Sequence, residues 1–202
     1  MKNKIHVGIL LFNEVEVLDF AGPFEVFSIA THLNSNEKVF QVSTVGQTGD
    51  MILARNGLKV QPHFSFLNAP EFDVLIVPGG YGAEEIEIHN DTMIYWIQER
   101  EKQVKILASV CTGAFLLAEA GLLNGKKATT HWMDIDRLEK EYPHIQVKRS
   151  VKYVDEGHII TSGGISAGIN MSFHLVEKLC NIEIARATAK RMAYEIDFKS
   201  IH

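Results

Sequence analysis

Only two cysteines, Cys111 and Cys180, occur in 202 residues. Two are too few for a disulfide framework, and no Cys-x-x-Cys accompanies them. The nine histidines show neither His-x-x-x-His nor His-Glu-x-x-His spacing, and no carboxylate-rich calcium loop occurs, so no metal site is expected. No apolar run approaches the roughly 20 residues that cross a bilayer, and residues 1–4 lead directly into a strand-like segment. A cytoplasmic protein without membrane contact is therefore expected. Basic residues are outnumbered, 20 against 25, and the net charge of -5 argues against nucleic acid as a partner. Internal repeats, low-complexity tracts and linkers are also missing, so residues 1–202 are read as one domain.

What is present is a regular alternation of strand and helix patterns. Residues 5–12 form a near-continuous apolar run of strand length, as in a buried parallel strand. Asp19 then precedes a predicted helix that has Pro23 in its first turn and reaches about Leu33. Residues 39–45 alternate as a second strand. Residues 51–54 and 58–60 flank Asn56-Gly57, a hairpin signal. Residues 73–77 predict a buried strand that stops at Pro78-Gly79-Gly80. Asp91 is expected to cap a helix reaching about Gln103.

Residues 105–108 lead to Cys111, after which a helix runs to Gly121, a suitable residue for a helix end. Residues 125–132 read as a turn and strand, and a helix follows to about Glu141. Strands over 147–155 and 158–161 meet around Glu156-Gly157. Helices at 169–180 and at 182 to about 194 complete the pattern, and Cys180 reads as core filling. The order predicts an α/β domain with a mainly parallel sheet and helices on both faces.

In such sheets the ligand crevice lies beyond the carboxyl ends of the strands. Four segments leave predicted strand ends with unusual residues: Asp19, Pro78-Gly79-Gly80, Cys111 and Ser162-Gly163-Gly164. A thiol on a turn at a helix N-terminus is expected to favour thiolate. Gly79, Gly80 and Thr112 are candidates to present N–H groups to a developing negative charge. An Asp19 facing Cys111 is expected to have a raised pKa and, once protonated, to donate to the thiolate. Each residue also has an ordinary reading: Cys111 as filler, Asp19 as a helix cap, Gly79-Gly80 as a plain turn. His131 is a candidate base on a separate segment.

Residues 17–27 (VLDFAGPFEVF), Pro78-Gly79-Gly80, Ser109-Val110-Cys111-Thr112-Gly113, Thr129-Thr130-His131-Trp132 and residues 161–168 (TSGGISAG) together resemble the ThiJ/PfpI superfamily, related in fold to class I glutamine amidotransferases. The resemblance is strongest to its isonitrile hydratase branch. It implies a flavodoxin-like three-layer sandwich, a nucleophilic cysteine at a strained elbow, no cofactor, a small-molecule substrate and a homodimer. By position it makes Cys111 the nucleophile, Asp19 the acid and Thr112 an assisting residue, with Gly79 or Gly80 supplying an oxyanion N–H.

Peptidase- and glyoxalase-like members commonly carry His directly after the nucleophile, where this chain has Thr112. The implied activity is hydration of isonitriles to N-substituted formamides. Two alternatives are another thiol enzyme of the superfamily, such as a glyoxalase or small amidase, and a non-catalytic ligand or redox sensor. The second resembles the sensor half of AraC-type regulators. With the sequence ending at His202, the helix-turn-helix region of such regulators is not expected.

Overall fold

The longest β-branched and apolar runs become the middle of a seven-stranded sheet. In the computed structural model, which describes residues 4–198, β1 (Ile5–Leu11) pairs in parallel with β2 (Phe40–Gly46) on one side and β6 (Val74–Val77) on the other. The short β3 (Ile52–Leu53) and β4 (Lys59–Val60) form the expected hairpin outside that sheet. Its turn places Asn56 and Gly57 at φ +60° and +85°. β5 (Phe64–Ser65), too short to show periodicity, adds an edge strand beside β2.

Beyond β6 come β7 (Ile106–Val110), β11 (Ile159–Ser162) and the single antiparallel member β10 (Tyr153–Asp155), giving the order β10-β11-β7-β6-β1-β2-β5. β8 (Lys127–Ala128) and β9 (Gln146–Val147) make a separate parallel pair. Helices α1 (Val17–Ile29), α5 (Ala167–Leu179) and α6 (Ile182–Arg191) pack on one another, as do α2 (Asp91–Glu101) and α3 (Gly113–Glu119). α4 (Ile135–Glu141) rests on β9. This is the flavodoxin-like α/β arrangement.

β6 and β7 are buried at every position, which is why their sequences are continuous apolar runs. Leu75, Ile76, Leu107, Phe115 and Phe173 are fully buried, each contributing about 1.5–3 kcal/mol by removal from water. The strand order reverses at β1: β2 lies on one side of it and β6, β7 and β11 on the other. The crevice expected at such a switch point is bordered by the carboxyl ends of β1, β6 and β7.

Several predicted boundaries move. α1 begins at Val17, so Asp19 lies within its first turn and Pro23 in its interior. Asn90, not Asp91, caps α2, its Oδ1 accepting from the Thr92 and Met93 N–H groups at 3.2 and 3.3 Å. The strand expected over 125–132 ends at Ala128, and a 3-10 turn over Trp132–Asp134 carries the chain into α4. Ser150, at φ +58°, divides the strand expected over 147–155. A π-helical turn, Gly82–Ile86, follows the Gly79-Gly80 segment.

Packing requires glycine at Gly113, where a Cβ would meet the Val77 carbonyl oxygen at 2.2 Å. Gly125, at φ +74°, has open space around it. Gly113→Ala is expected to cost more than about 3 kcal/mol through the backbone overlap, and Gly125→Ala about 1 kcal/mol through strain alone. Urea midpoints measure both; equal losses would mean that the β6–α3 packing is not tight.

Candidate functional site

All four rim segments converge. Cys111 ends β7 at φ +55°, a left-handed conformation that a non-glycine residue holds only when its surroundings enforce it. They do so from both sides of the peptide. Its N–H reaches the carbonyls of Ser162 at 3.2 Å and Gly163 at 3.3 Å, and its carbonyl accepts from Thr130 Oγ1 at 2.9 Å. Gly168 adds room, because a Cβ there would press on Val110 at 2.7 Å. The thiol itself is buried.

Asp19 is fully buried on α1. Its Oδ2 accepts the Gly79 N–H at 3.1 Å, so the carboxyl reaches across to the next rim segment and does not cap its own helix. Oδ1 has no full hydrogen bond among the described residues. The Cys111 thiol interacts with the same carboxyl, too loosely to satisfy Oδ1 by geometry but closely enough to affect its ionisation. Burial raises the Asp19 pKa from 3.8 to about 7, against the opposing pull of the Gly79 N–H.

Cys111 is displaced in the same direction. Burial pushes the thiol well above its usual range and the Asp19 carboxylate pushes it further, while the Thr112 N–H opposes both. This corrects the expectation of a thiol acidified by its helix. α3 has only seven residues, and its dipole does not offset desolvation beside a carboxylate.

The glycine turn has a different duty from the one its sequence suggested. The Gly79 N–H is committed to Asp19, and the Gly80 N–H donates to Thr112 Oγ1 at 2.9 Å. Neither is an open oxyanion donor in this arrangement. Gly79 instead permits close packing, since a Cβ there would lie 2.5 Å from the Thr112 nitrogen. Gly80, at φ +112°, lies against Glu14–Glu16, and the Gly79 carbonyl accepts the Glu16 N–H at 2.9 Å. Thr112 is buried, its hydroxyl held by Gly80 and its N–H directed at the sulfur.

His131 does reach the elbow. The point where a Gly164 Cβ would sit is 2.0 Å from His131 Cδ2 and 3.0 Å from Cys111 Sγ, so ring and thiol both border Gly164. His131 Nδ1 lies 3.4 Å from Asp134 Oδ2 and accepts the Met133 N–H at 3.4 Å. Asp134, Thr130 and Gly164 escaped the sequence reading. Their roles depend on contacts between segments, although Thr130 and Gly164 lie inside motifs already singled out. Of the apolar residues in the quoted motifs, Trp132 is largely exposed, Phe20 is buried, and Ile165 packs on the core.

A buried cysteine on a strand–helix elbow, paired with a carboxyl at the switch point of a parallel sheet, defines a flavodoxin-like α/β protein with a thiol–carboxyl pair in its crevice. Residues 5–178 match the DJ-1/PfpI family model, and the chain belongs to that family. It is similar to an isonitrile hydratase of Pseudomonas putida, 33% identical over 190 residues that cover 94% of this chain and 78% of the relative. It is also 27% identical, over 96% of its length, to the HTH-type transcriptional regulator GbdR of Pseudomonas aeruginosa, and spans 52% of that protein. Among solved structures, a ThiJ/PfpI family protein from Pseudomonas syringae superposes with TM-score 0.82 at 26% identity, covering 96% of this chain and 77% of the other. Drosophila melanogaster DJ-1beta shares the fold at TM-score 0.82 and 19% identity, with 96% and 100% covered.

The buried carboxyl makes stability depend on pH. Below about pH 4 folded and unfolded chains both keep the Asp19 proton. Between about 4 and 7 only the folded chain keeps it, so stability falls as pH rises, and above about 7 the loss is complete. A displacement from 3.8 to about 7 corresponds to on the order of 4 kcal/mol. Asp19→Asn removes this dependence, so the variant should gain several kcal/mol relative to the parent between pH 4 and pH 8. Urea unfolding at the two pH values measures the difference; a gap that does not change with pH would show that Asp19 ionises freely.

Proposed function

We propose that this chain hydrates isonitriles to N-substituted formamides, with Cys111 as nucleophile and Asp19 as the group that moves protons. The observation that carries the reading is the buried Asp19–Cys111 pair followed by Thr112, in a chain similar over 94% of its length to an isonitrile hydratase. The reactive state holds one proton between the two groups. Asp19 as carboxylate takes the thiol proton while sulfur attacks the terminal isonitrile carbon.

The protonated Asp19 then delivers that proton to the same carbon. A thioimidate, R–N=CH–S–Cys111, results, with one C–S and one C–H bond formed and no proton lost. Asp19, again a carboxylate, takes one proton from a water that adds to the thioimidate carbon and passes it to nitrogen, leaving the hydroxyl proton to return to sulfur. Breaking the C–S bond releases R–NH–CHO and restores the thiol. The Thr112 N–H steadies the sulfur as negative charge develops, and the His131 ring borders the same glycine as the thiol. A homodimer working in the cytosol is the proposed setting.

A second reading is favoured by the regulator relative, whose similarity also spans nearly the whole chain. In it the elbow senses a ligand without turnover. Oxidant sensing is less well supported, because a buried thiol with a raised pKa presents little thiolate to an oxidant.

Purified protein is expected to convert cyclohexyl isocyanide to its formamide, with at least a thousandfold loss in Cys111→Ala. Retained turnover in that variant would sink the assignment, and absence of turnover in the parent would favour the sensing role. For the parent, kcat/KM should rise through an apparent ionisation near pH 7, because only the Asp19 carboxylate can accept the thiol proton. A profile flat from pH 5 to 9 would remove Asp19 from that role.

A further inference from the structure

Beside the elbow is a recess of about 330 Å³ that the reaction above does not use. Trp132, Ile135 and Val151 give it apolar walls. No acidic residue lines it, although the whole chain carries a net charge of -5. Lys152 does line it, and the lysine makes no ion pair among the described residues.

Two further groups present hydrogen-bond donors there. α5, thirteen residues long, opens on the recess at Ser166 and Ala167, and no side chain caps its first N–H groups. Asn170, one turn further on, is 6% exposed and lines the same space. Among the described residues the one hydrogen bond given to its side chain is a long contact of 3.5 Å, from the Tyr194 hydroxyl to Oδ1. Its amide N–H groups, the lysine and the helix end are all donors, and the walls suit hydrocarbon.

We infer that this recess binds a small organic carboxylate with an apolar body. Its occupant would be felt at Cys111, because three residues serve both places. Thr130 donates to the Cys111 carbonyl, Gly163 accepts the Cys111 N–H, and Gly164 separates the recess from the thiol and His131. The site stands whether or not isonitriles are turned over.

Calorimetry with cyclohexanecarboxylate and its neutral carboxamide tests the inference. The acid should bind at least tenfold more tightly than the amide. That preference should vanish in Lys152→Met, which keeps the apolar stem, and persist in Cys111→Ala. Saturating acid should also change the rate of Cys111 alkylation by iodoacetamide at least twofold in the parent and not in Lys152→Met. No binding at millimolar acid, equal affinity for acid and amide, a preference that survives Lys152→Met, or an alkylation rate indifferent to the acid would each overturn it.

Discussion

The positive φ of Cys111 is the constraint on which the rest of the molecule depends. Backbone strain of this kind costs about 1–3 kcal/mol and persists only where neighbours over-determine it. Here they do so from several elements. β11 takes the Cys111 N–H, and Thr130 takes its carbonyl. Gly113 lets α3 start directly on the Val77 and Pro78 carbonyls. The sharp turn is thus a product of the sheet order, which places β7 between β6 and β11 and lets both grip its carboxyl end. Without that order the Ser109-Val110-Cys111-Thr112-Gly113 segment has no local reason to hold its shape.

Burial does the remaining work, and it acts on protonation. Burial raises both the Asp19 carboxyl and the thiol enclosed with it, and Asp19 raises the thiol further, while the Cys111 thiol pulls Asp19 down by hydrogen bonding to it. Near neutral pH it is Asp19, and not the cysteine, that titrates. Thr112 fits this scheme through its backbone. Its hydroxyl is tied to Gly80, which locks the glycine turn to the elbow, while its N–H is the contact that favours a charged sulfur.

The fold class and the meeting of four rim segments were legible in the sequence, since continuous apolar runs followed by the segments of Asp19, Gly79, Cys111 and Gly163 specify parallel strands and their ends. Duties within the site were not. A glycine pair reads as a source of free N–H groups until the structure shows both donating elsewhere. A thiol at a helix start reads as acidic until the helix is seen to be short and the sulfur buried. Element ends moved for a related reason. Asn90 outcompetes Asp91 as a cap because its side chain, one residue earlier, is placed to reach the Thr92 and Met93 N–H groups. β5 and the π-helical turn depend on partners distant in sequence.

Charge separates the site into two regions. Around Cys111 the field is negative, set by Asp19 and reinforced by Asp134, which also raises the thiol pKa. On the far side of Gly163-Gly164 the lining has a lysine and no acid. An anionic reacting centre would be repelled by the first region, whereas a neutral carbon that accepts a proton as sulfur attacks would not be. Negative charge elsewhere on a bound molecule would be directed to the second region, about one glycine pair away. This polarity argues for ligands that are neutral where they meet the thiol. It also makes a raised thiol pKa compatible with the proposed nucleophilic chemistry: the proton that burial retains on sulfur is the one that the carbon of the proposed isonitrile substrate would accept.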